Sequence, residues 1–354
     1  SSVGLTGLFP GALYAQVAEE DGAEAAPITP DHVAAAETIA GLSFTPKERA
    51  LLVENLNEHL QQYEALRAHD LPNARAPATV FDPRRGGAEM PTVPPAQDGA
   101  DVPLPAGDRP ARDEDLAFAS IAELAHLLRA RKVTSVELTE LCLQRLRRYD
   151  EALNAVITYT EARALAAARQ ADRELDAGTW RGPLHGIPYG AKDLLAVEGY
   201  PTTWGATPYQ TQELDDTATV IQRLDDAGAV LVAKLSLGAL AWGDVWYDAT
   251  TKNPWNLDQG SSGSSAGSAA AVSAGCVPFA LGSETLGSIV SPSTRCGVTG
   301  HRPTFGAVSR HGAMALSWTL DKLGPIARSA LDCALVYDAL RGADPQDPAS
   351  VDAP

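Results

Sequence analysis

Apolar residues along this chain recur with two different periods, and the change from one to the other marks its organisation. From Thr29 to about His69 they recur at helical spacing, best seen in Leu51, Leu52, Leu56, Leu60, Tyr63 and Leu66. Thr45-Pro46-Lys47-Glu48 supplies an N-cap threonine, a proline at the first helical position and a glutamate three residues after the cap. Two helices forming a hairpin over residues 27–70 are predicted, read as a packing appendage without chemistry of its own. Ser120-Ile121-Ala122-Glu123 predicts a helix through Leu128, Thr134-Ser135-Val136-Glu137 another to Tyr149, and the alanine-rich Ala162–Ala177 a third. Beyond them, Gly186–Ala191, Ala229–Ala233 and Val277–Leu281 read as short strands, with helices at Thr217–Gly228 and Ala266–Ala274. A run as apolar as Ala229-Val230-Leu231-Val232-Ala233 suits the middle of a sheet covered on both faces. Strands alternating with helices predict an α/β architecture. There is no internal repeat.

Composition adds boundaries and exclusions. Ser1–Gln16 is apolar and uncharged, and the acidic, alanine-rich Val17–Ala26 follows at once. Residues 1–26 therefore read as the remnant of an export signal and a disordered acidic segment, which predicts an exported, periplasmic protein, with a cytoplasmic one as the alternative. Residues 71–112 are dense in Pro, Ala, Gly and Asp, lack periodicity and read as a connector; the main domain spans 113–354. No run of 18 apolar residues exists, so no membrane span is expected. The 28 basic and 45 acidic residues give a net charge of −17, which repels phosphate backbones and argues against a nucleic-acid partner. Cys142, Cys276, Cys296 and Cys333 form no CxxC pair and the seven histidines no HExxH, so a disulfide scaffold and the common zinc motifs are not expected.

Three segments carry candidate chemistry. In Gly186-Ile187-Pro188-Tyr189-Gly190-Ala191-Lys192-Asp193 a lysine closes an apolar strand. Burying an ammonium is costly, so Lys192 either pairs with a carboxylate or loses its proton. Gly260-Ser261-Ser262-Gly263-Ser264-Ser265-Ala266-Gly267-Ser268 runs into an alanine-rich helix; it is a flexible linker, an anion cradle at a helix N-terminus, or the source of a catalytic hydroxyl. Gly282-Ser283-Glu284-Thr285-Leu286-Gly287-Ser288 follows the strand Val277–Leu281 as a Gly-Ser turn, where a nucleophile and an oxyanion hole can share one loop.

Taken together these segments resemble the amidase signature family, from about Leu116 to Ala349. The resemblance includes Gly182-Pro183-Leu184-His185-Gly186-Ile187-Pro188, Asn253-Pro254-Trp255-Asn256, Cys296-Gly297-Val298-Thr299-Gly300, Arg302-Pro303-Thr304-Phe305-Gly306 and Asp321-Lys322-Leu323-Gly324-Pro325. It implies a mixed, twisted central sheet with helices on both faces, and hydrolysis of a linear amide with no cofactor or metal. It also implies a triad: Ser288 as nucleophile, Ser264 bridging beside a cis peptide bond, and Lys192 as an uncharged base. The backbone N–H groups of Thr285, Leu286, Gly287 and Ser288 would line the oxyanion hole. Gly263, Ser265, Trp242 and Trp246 are the candidate substrate contacts, core packing being the alternative for the tryptophans. The partner is a small-molecule amide; oligomeric state is left open.

The sequence departs from the family pattern in places. Glu284 stands for the usual Asp, Leu286 for a Gly and Val290 for an Arg, while Ser262 and Ala266 stand where Gly is usual. Family members continue past the position matching Pro354, which implies a short chain with unpaired strand edges. Rival readings are an inactive amidase-like binding protein, the amidase subunit of a tRNA-dependent amidotransferase, and an α/β-hydrolase. The last takes Gly263-Ser264-Ser265-Ala266-Gly267 as a nucleophile elbow, with Glu284 and His301 or His311 as partners; it fails because the polar Asn253–Gln259 is not the strand an elbow needs. Lys234 reads as one half of a structural ion pair, and His185 as a hydrogen-bonded core residue.

Overall fold

The computed structural model describes residues 27–69, 104–105 and 107–352. The segment read as an export signal and most of the connector lie outside them. The chain divides into two units at Pro72–Asn73, and each is described by itself.

The first unit is the expected pair of helices, α1 (Pro30–Ala40) and α2 (Pro46–Arg67). Both begin as their sequences dictate. Thr45 Oγ1 accepts from Glu48 N and Glu48 Oε2 accepts from Thr45 N, which satisfies two orphan donors reciprocally. Gly41 in the left-handed region ends α1. Glu37 on α1 grips the Arg49 guanidinium on α2 in a two-pronged pair at 2.7 and 2.8 Å.

The second unit contains α3 (Asp113–Ala117), α4 (Ile121–Arg129), α5 (Ser135–Leu153), β1 (Val156–Tyr159), α6 (Glu161–Asp176), β2 (Pro188–Lys192), α7 (Thr219–Asp226), β3 (Val230–Leu235), β4 (Lys252–Asn253), β5 (Asn256–Gly260), α8 (Ala266–Ser273), β6 (Phe279–Glu284), α9 (Val290–Cys296), β7 (Thr299–Gly300), β8 (Lys322–Ala327) and α10 (Ala330–Leu340). Six strands form one mixed sheet in the order β1-β3-β2-β6-β8-β7; β3, β2 and β6 run parallel, and the flanking pairs are antiparallel. β2 and β3 are buried at every position, as their apolar runs require of central strands. One core layer brings Leu124, Leu128, Ile221 and Leu224 against Tyr189, Leu231 and Phe279. The other brings Leu143, Leu146, Ala168, Ala269 and Val272 against Val230, Val232 and Ala280. Helices thus cover both faces of the sheet. Among the described residues no helix is long and apolar enough to cross a membrane.

Two expectations need correction. The strand expected at Val277–Leu281 runs instead from Phe279 through Glu284, so Gly282 and Ser283 lie inside it. Antiparallel pairing of Gly282 with Gly324, Ser283 with Leu323 and Glu284 with Lys322 carries the ladder past the point where local apolarity ends. The polar segment before the Ser/Gly loop is a strand after all: β4 and β5 form an antiparallel hairpin whose β5 residues are largely exposed.

Candidate active site

β2 and β6 are parallel neighbours, with Ala191 level with Leu281. Their carboxyl ends therefore deliver Lys192 and Ser283 to one edge of the sheet, where open α/β sheets place their ligands. The Ser/Gly loop enters the same edge from β5 and turns into α8. Small residues are required there because space is short. A Cβ on Gly263 would lie 1.7 Å from the Gly243 carbonyl oxygen, and one on Gly267 would lie 2.4 Å from that of Ala155. Ser262 has φ +64°, which explains why glycine is usual at this position. The Gly263–Ser264 peptide bond is cis, as the family resemblance implies.

Lys192 is fully buried, and its Nζ is surrounded by neutral oxygens: Ser264 Oγ at 2.7 Å, Ser283 Oγ at 2.8 Å, Ser265 Oγ at 3.2 Å and the Ser283 carbonyl at 3.4 Å. Among the described residues no carboxylate touches it. Burial holds its amine well below the usual lysine range, against the pull of Asp321 and Glu284 in the opposite direction. Of the two fates open to a buried lysine, pairing with a carboxylate is not the one seen here, and burial favours the neutral amine. The other buried lysine takes the opposite course: Lys234 Nζ lies 2.8 Å from Asp193 Oδ1, the ion pair expected of it.

Ser288 is half-buried in the loop between β6 and α9. Ser265 N donates to the Ser288 carbonyl at 3.1 Å and so joins the two serine loops. No hydrogen bond links the hydroxyls of Ser264 and Ser288; catalytic hydrogen bonds commonly close only around substrate. The loop carrying Ser288 is held from behind by Glu284, which is buried and accepts from Ile289 N at 2.8 Å and Val290 N at 3.0 Å. Arg302 Nη1 meets its other oxygen at 2.9 Å. Burial would raise this carboxyl, but the bonds from Val290, Ile289 and Arg302 outweigh it and hold it below the ordinary value. Thr285 is tied through its hydroxyl to Asp321 Oδ1 at 2.6 Å. Among the described residues the backbone N–H groups of Leu286 and Ser288 donate to no protein acceptor. Gly287 takes φ +84°, while Leu286 stays outside the left-handed region with its side chain 90% exposed, so the loop accommodates leucine there.

The remaining candidates separate. Ser265 is fully buried, and its hydroxyl accepts from Ser283 N and donates to Ser283 O, both at 3.1 Å. It fastens the loop to β6 and is not available to attack a substrate. That removes the elbow reading, whose other members are engaged elsewhere. His301 stacks edge-on against Tyr337, His311 faces Asp216, and Glu284 is bound by Arg302. Trp246 is buried, with its indole N–H on the Asn154 carbonyl and its ring against Tyr247, whereas Trp242 is 69% exposed. Neither lines the cleft that opens beside Ser283 and Thr285, whose apolar wall includes Leu194, Met314, Leu316 and Trp318. His185 is a buried core histidine, accepting from Arg181 N and facing Glu174. Ser283 is the residue that sequence reasoning missed. The signal was present in the parallel pairing of β2 with β6, Ala191 level with Leu281, which brings the ends of the two strands side by side. Among the described residues no group of three or more His, Cys, Asp or Glu could hold a metal ion.

Comparison with known proteins decides the family: the model for Amidase matches residues 137–354. The chain belongs to the amidase family. It is 44% identical to the glutamyl-tRNA(Gln) amidotransferase A subunit of Methylococcus capsulatus over 66% of this chain and 49% of that protein. The corresponding protein of Azoarcus sp. is 45% identical over 67% of this chain and 49% of its own length. Among solved structures, the native peptide amidase of Stenotrophomonas maltophilia superposes with a TM-score of 0.63 at 37% identity, covering 67% of this chain and 50% of the peptide amidase. The chain therefore spans about half the length of these amidase-family relatives. Its mixed sheet flanked by helices is the fold they share.

Proposed function

We propose that this chain carries an amide hydrolase site in which Ser288 attacks the carbonyl carbon, Ser264 bridges and Lys192 is the base. The observation that carries this reading is the buried Lys192 amine, 2.7 Å from the Ser264 hydroxyl and without a carboxylate partner. Burial lowers the cost of freeing this amine's lone pair, which is what a base needs. It takes the Ser264 proton as Ser264 takes that of Ser288, and the Ser288 oxygen forms its bond to the carbonyl. The unengaged N–H groups of Leu286 and Ser288, with that of Thr285, receive the oxyanion, while the Gly287 backbone is turned to the Glu284 carboxylate. Collapse breaks the C–N bond. The departing nitrogen takes a proton from Ser264, which is reprotonated by the Lys192 ammonium, and water then cleaves the Ser288 ester. The apolar cleft beside Thr285 receives one side of the substrate.

A fluorophosphonate probe tests this reading: Ser288 is expected to carry the label on peptide mapping. A folded protein that hydrolyses an anilide while labelling elsewhere, or that labels nowhere, would refute it. The second outcome would favour an amidase-like binding protein.

The identity to amidotransferase A subunits supports a second reading, in which the same site releases ammonia to a partner protein. The net charge of −17 argues against direct tRNA contact by this chain. Amide hydrolysis that depends on an added partner protein would favour this reading over the first.

A further inference from the structure

Thr285, the first residue after β6, is gripped by two consecutive residues at the start of β8. Asp321 Oδ1 accepts from the Thr285 hydroxyl at 2.6 Å, and its other oxygen accepts from Leu316 N and Ser317 N at 2.8 and 2.9 Å, so the carboxylate is itself fixed. Lys322, level with Glu284 across the β6–β8 ladder, is half-buried and donates from Nζ to the Thr285 carbonyl oxygen at 3.1 Å. Glu284, the carboxylate opposite it, is committed to Arg302 and to two backbone N–H groups. The peptide unit that Lys322 holds is the one that carries the Leu286 N–H. It is trans, since the only cis bond among the described residues is Gly263–Ser264. In a planar trans peptide the C=O and N–H point in opposite directions. With its carbonyl turned to Lys322, this peptide turns the Leu286 N–H away from that amine, and among the described residues the N–H meets no protein acceptor.

We propose that Lys322 is a positioning residue for amide hydrolysis: it acts through the Thr285–Leu286 peptide, fixing the Leu286 N–H as an oxyanion donor and strengthening it. The inference rests on the reading of Ser288 as nucleophile and of this loop as the oxyanion hole. A carbonyl that accepts a hydrogen bond polarises its peptide, and the N–H at the other end becomes a better donor. That gain is realised where negative charge develops on the substrate oxygen, so it belongs to the transition state and not to the bound amide.

The test uses the full chain, unsubstituted and as Lys322→Met, Lys322→Gln and Lys322→Arg. Three quantities are measured on each: kcat and KM for an anilide, and the affinity for an arylboronic acid, whose boron bonds the Ser288 oxygen and leaves an anionic oxygen in place of the oxyanion. Lys322→Met and Lys322→Gln are each expected to lose about tenfold in kcat and in boronic acid affinity, less than deletion of a direct donor costs, with KM within about twofold. Lys322→Arg keeps a donor of similar reach and should retain most of both. Denaturant unfolding accompanies each variant, and Lys322→Gln, with its polar head, carries the comparison if Lys322→Met folds poorly. Unchanged kcat and boronic acid affinity in a folded Met or Gln variant would overturn the proposal. So would a loss that falls on KM or that Lys322→Arg does not recover, because a merely structural contact produces that pattern. Absence of fluorophosphonate label at Ser288 in the unsubstituted protein would instead remove the reading of the site, and this inference with it.

Discussion

Replacing Ser288 with alanine is expected to abolish amide hydrolysis and probe labelling together, by about 10⁴-fold or more, because no other hydroxyl on this sheet edge is free to take its place. Lys192→Ala should approach the same loss, and Lys192→Arg should not rescue it, because a guanidinium stays protonated and has no lone pair to offer. Ser264→Ala removes the hydroxyl proposed to pass the proton from Ser288 to Lys192, 2.7 Å away, and belongs with them. Ser265→Ala is the contrast within the same loop. Its hydroxyl satisfies both the N–H and the carbonyl of Ser283, so its loss should cost about 1–3 kcal/mol of stability. Turnover should fall far less than in the other variants. Anilide hydrolysis and denaturant unfolding, measured on all of these variants, separate chemistry from fold. Equal losses of turnover at Ser265 and Ser264 would show that the loop, rather than a proton path, is what the substitutions damage.

The second large effect concerns stability. Lys234→Met is expected to lower it by about 3–5 kcal/mol, because it leaves Asp193 charged and unpaired in the core. Both side chains are fully buried. Asp193 Oδ2 also accepts from Thr203 N and Oγ1, and Lys234 donates to Thr202 Oγ1 and the Pro201 carbonyl. Burial pushes the Asp193 carboxyl up and the Lys234 amine down, so each depends on the other to stay ionised. Asp193→Asn should be comparably damaging. The Asp193→Asn/Lys234→Met double variant should recover much of the loss, since no lone charge then remains. Additive single and double losses in chemical denaturation would contradict the pairing.

The two buried lysines also show how far sequence could be read. Lys192 and Lys234 both occur in apolar strands, and only the neighbours they meet in space give them opposite chemistry. The adjacent Asp193 points away from Lys192, as alternation along a strand requires, and reaches Lys234 across the parallel pair instead. The local signals were plain. The capping boxes at Thr45–Glu48 and Ser120–Glu123 form as written, and the Ser/Gly loop delivers Ser264 to the lysine. Long-range pairing was harder to see. β8 extends β6 through Glu284, and nothing in Gly282-Ser283-Glu284 alone distinguishes a strand end from a turn. The same extension hid two participants: Ser283, which gives Lys192 a third hydroxyl, and Glu284, which faces the other way and anchors the Ser288 loop. Trp242 and Trp246 do not line the cleft beside Ser283 and Thr285. Proximity in sequence to a serine loop does not place a ring in a cleft, and the apolar wall came instead from Met314, Leu316 and Trp318, far along the chain.

The central claim is that the amine at position 192 is uncharged near neutral pH. Carbon-13 labelling of lysine, with the Lys192 resonance assigned by its absence in Lys192→Met, reads this directly through the pH dependence of the Cε shift. The account predicts a midpoint displaced far below the ordinary lysine value. A Lys192 signal that titrates at the ordinary lysine value would contradict it.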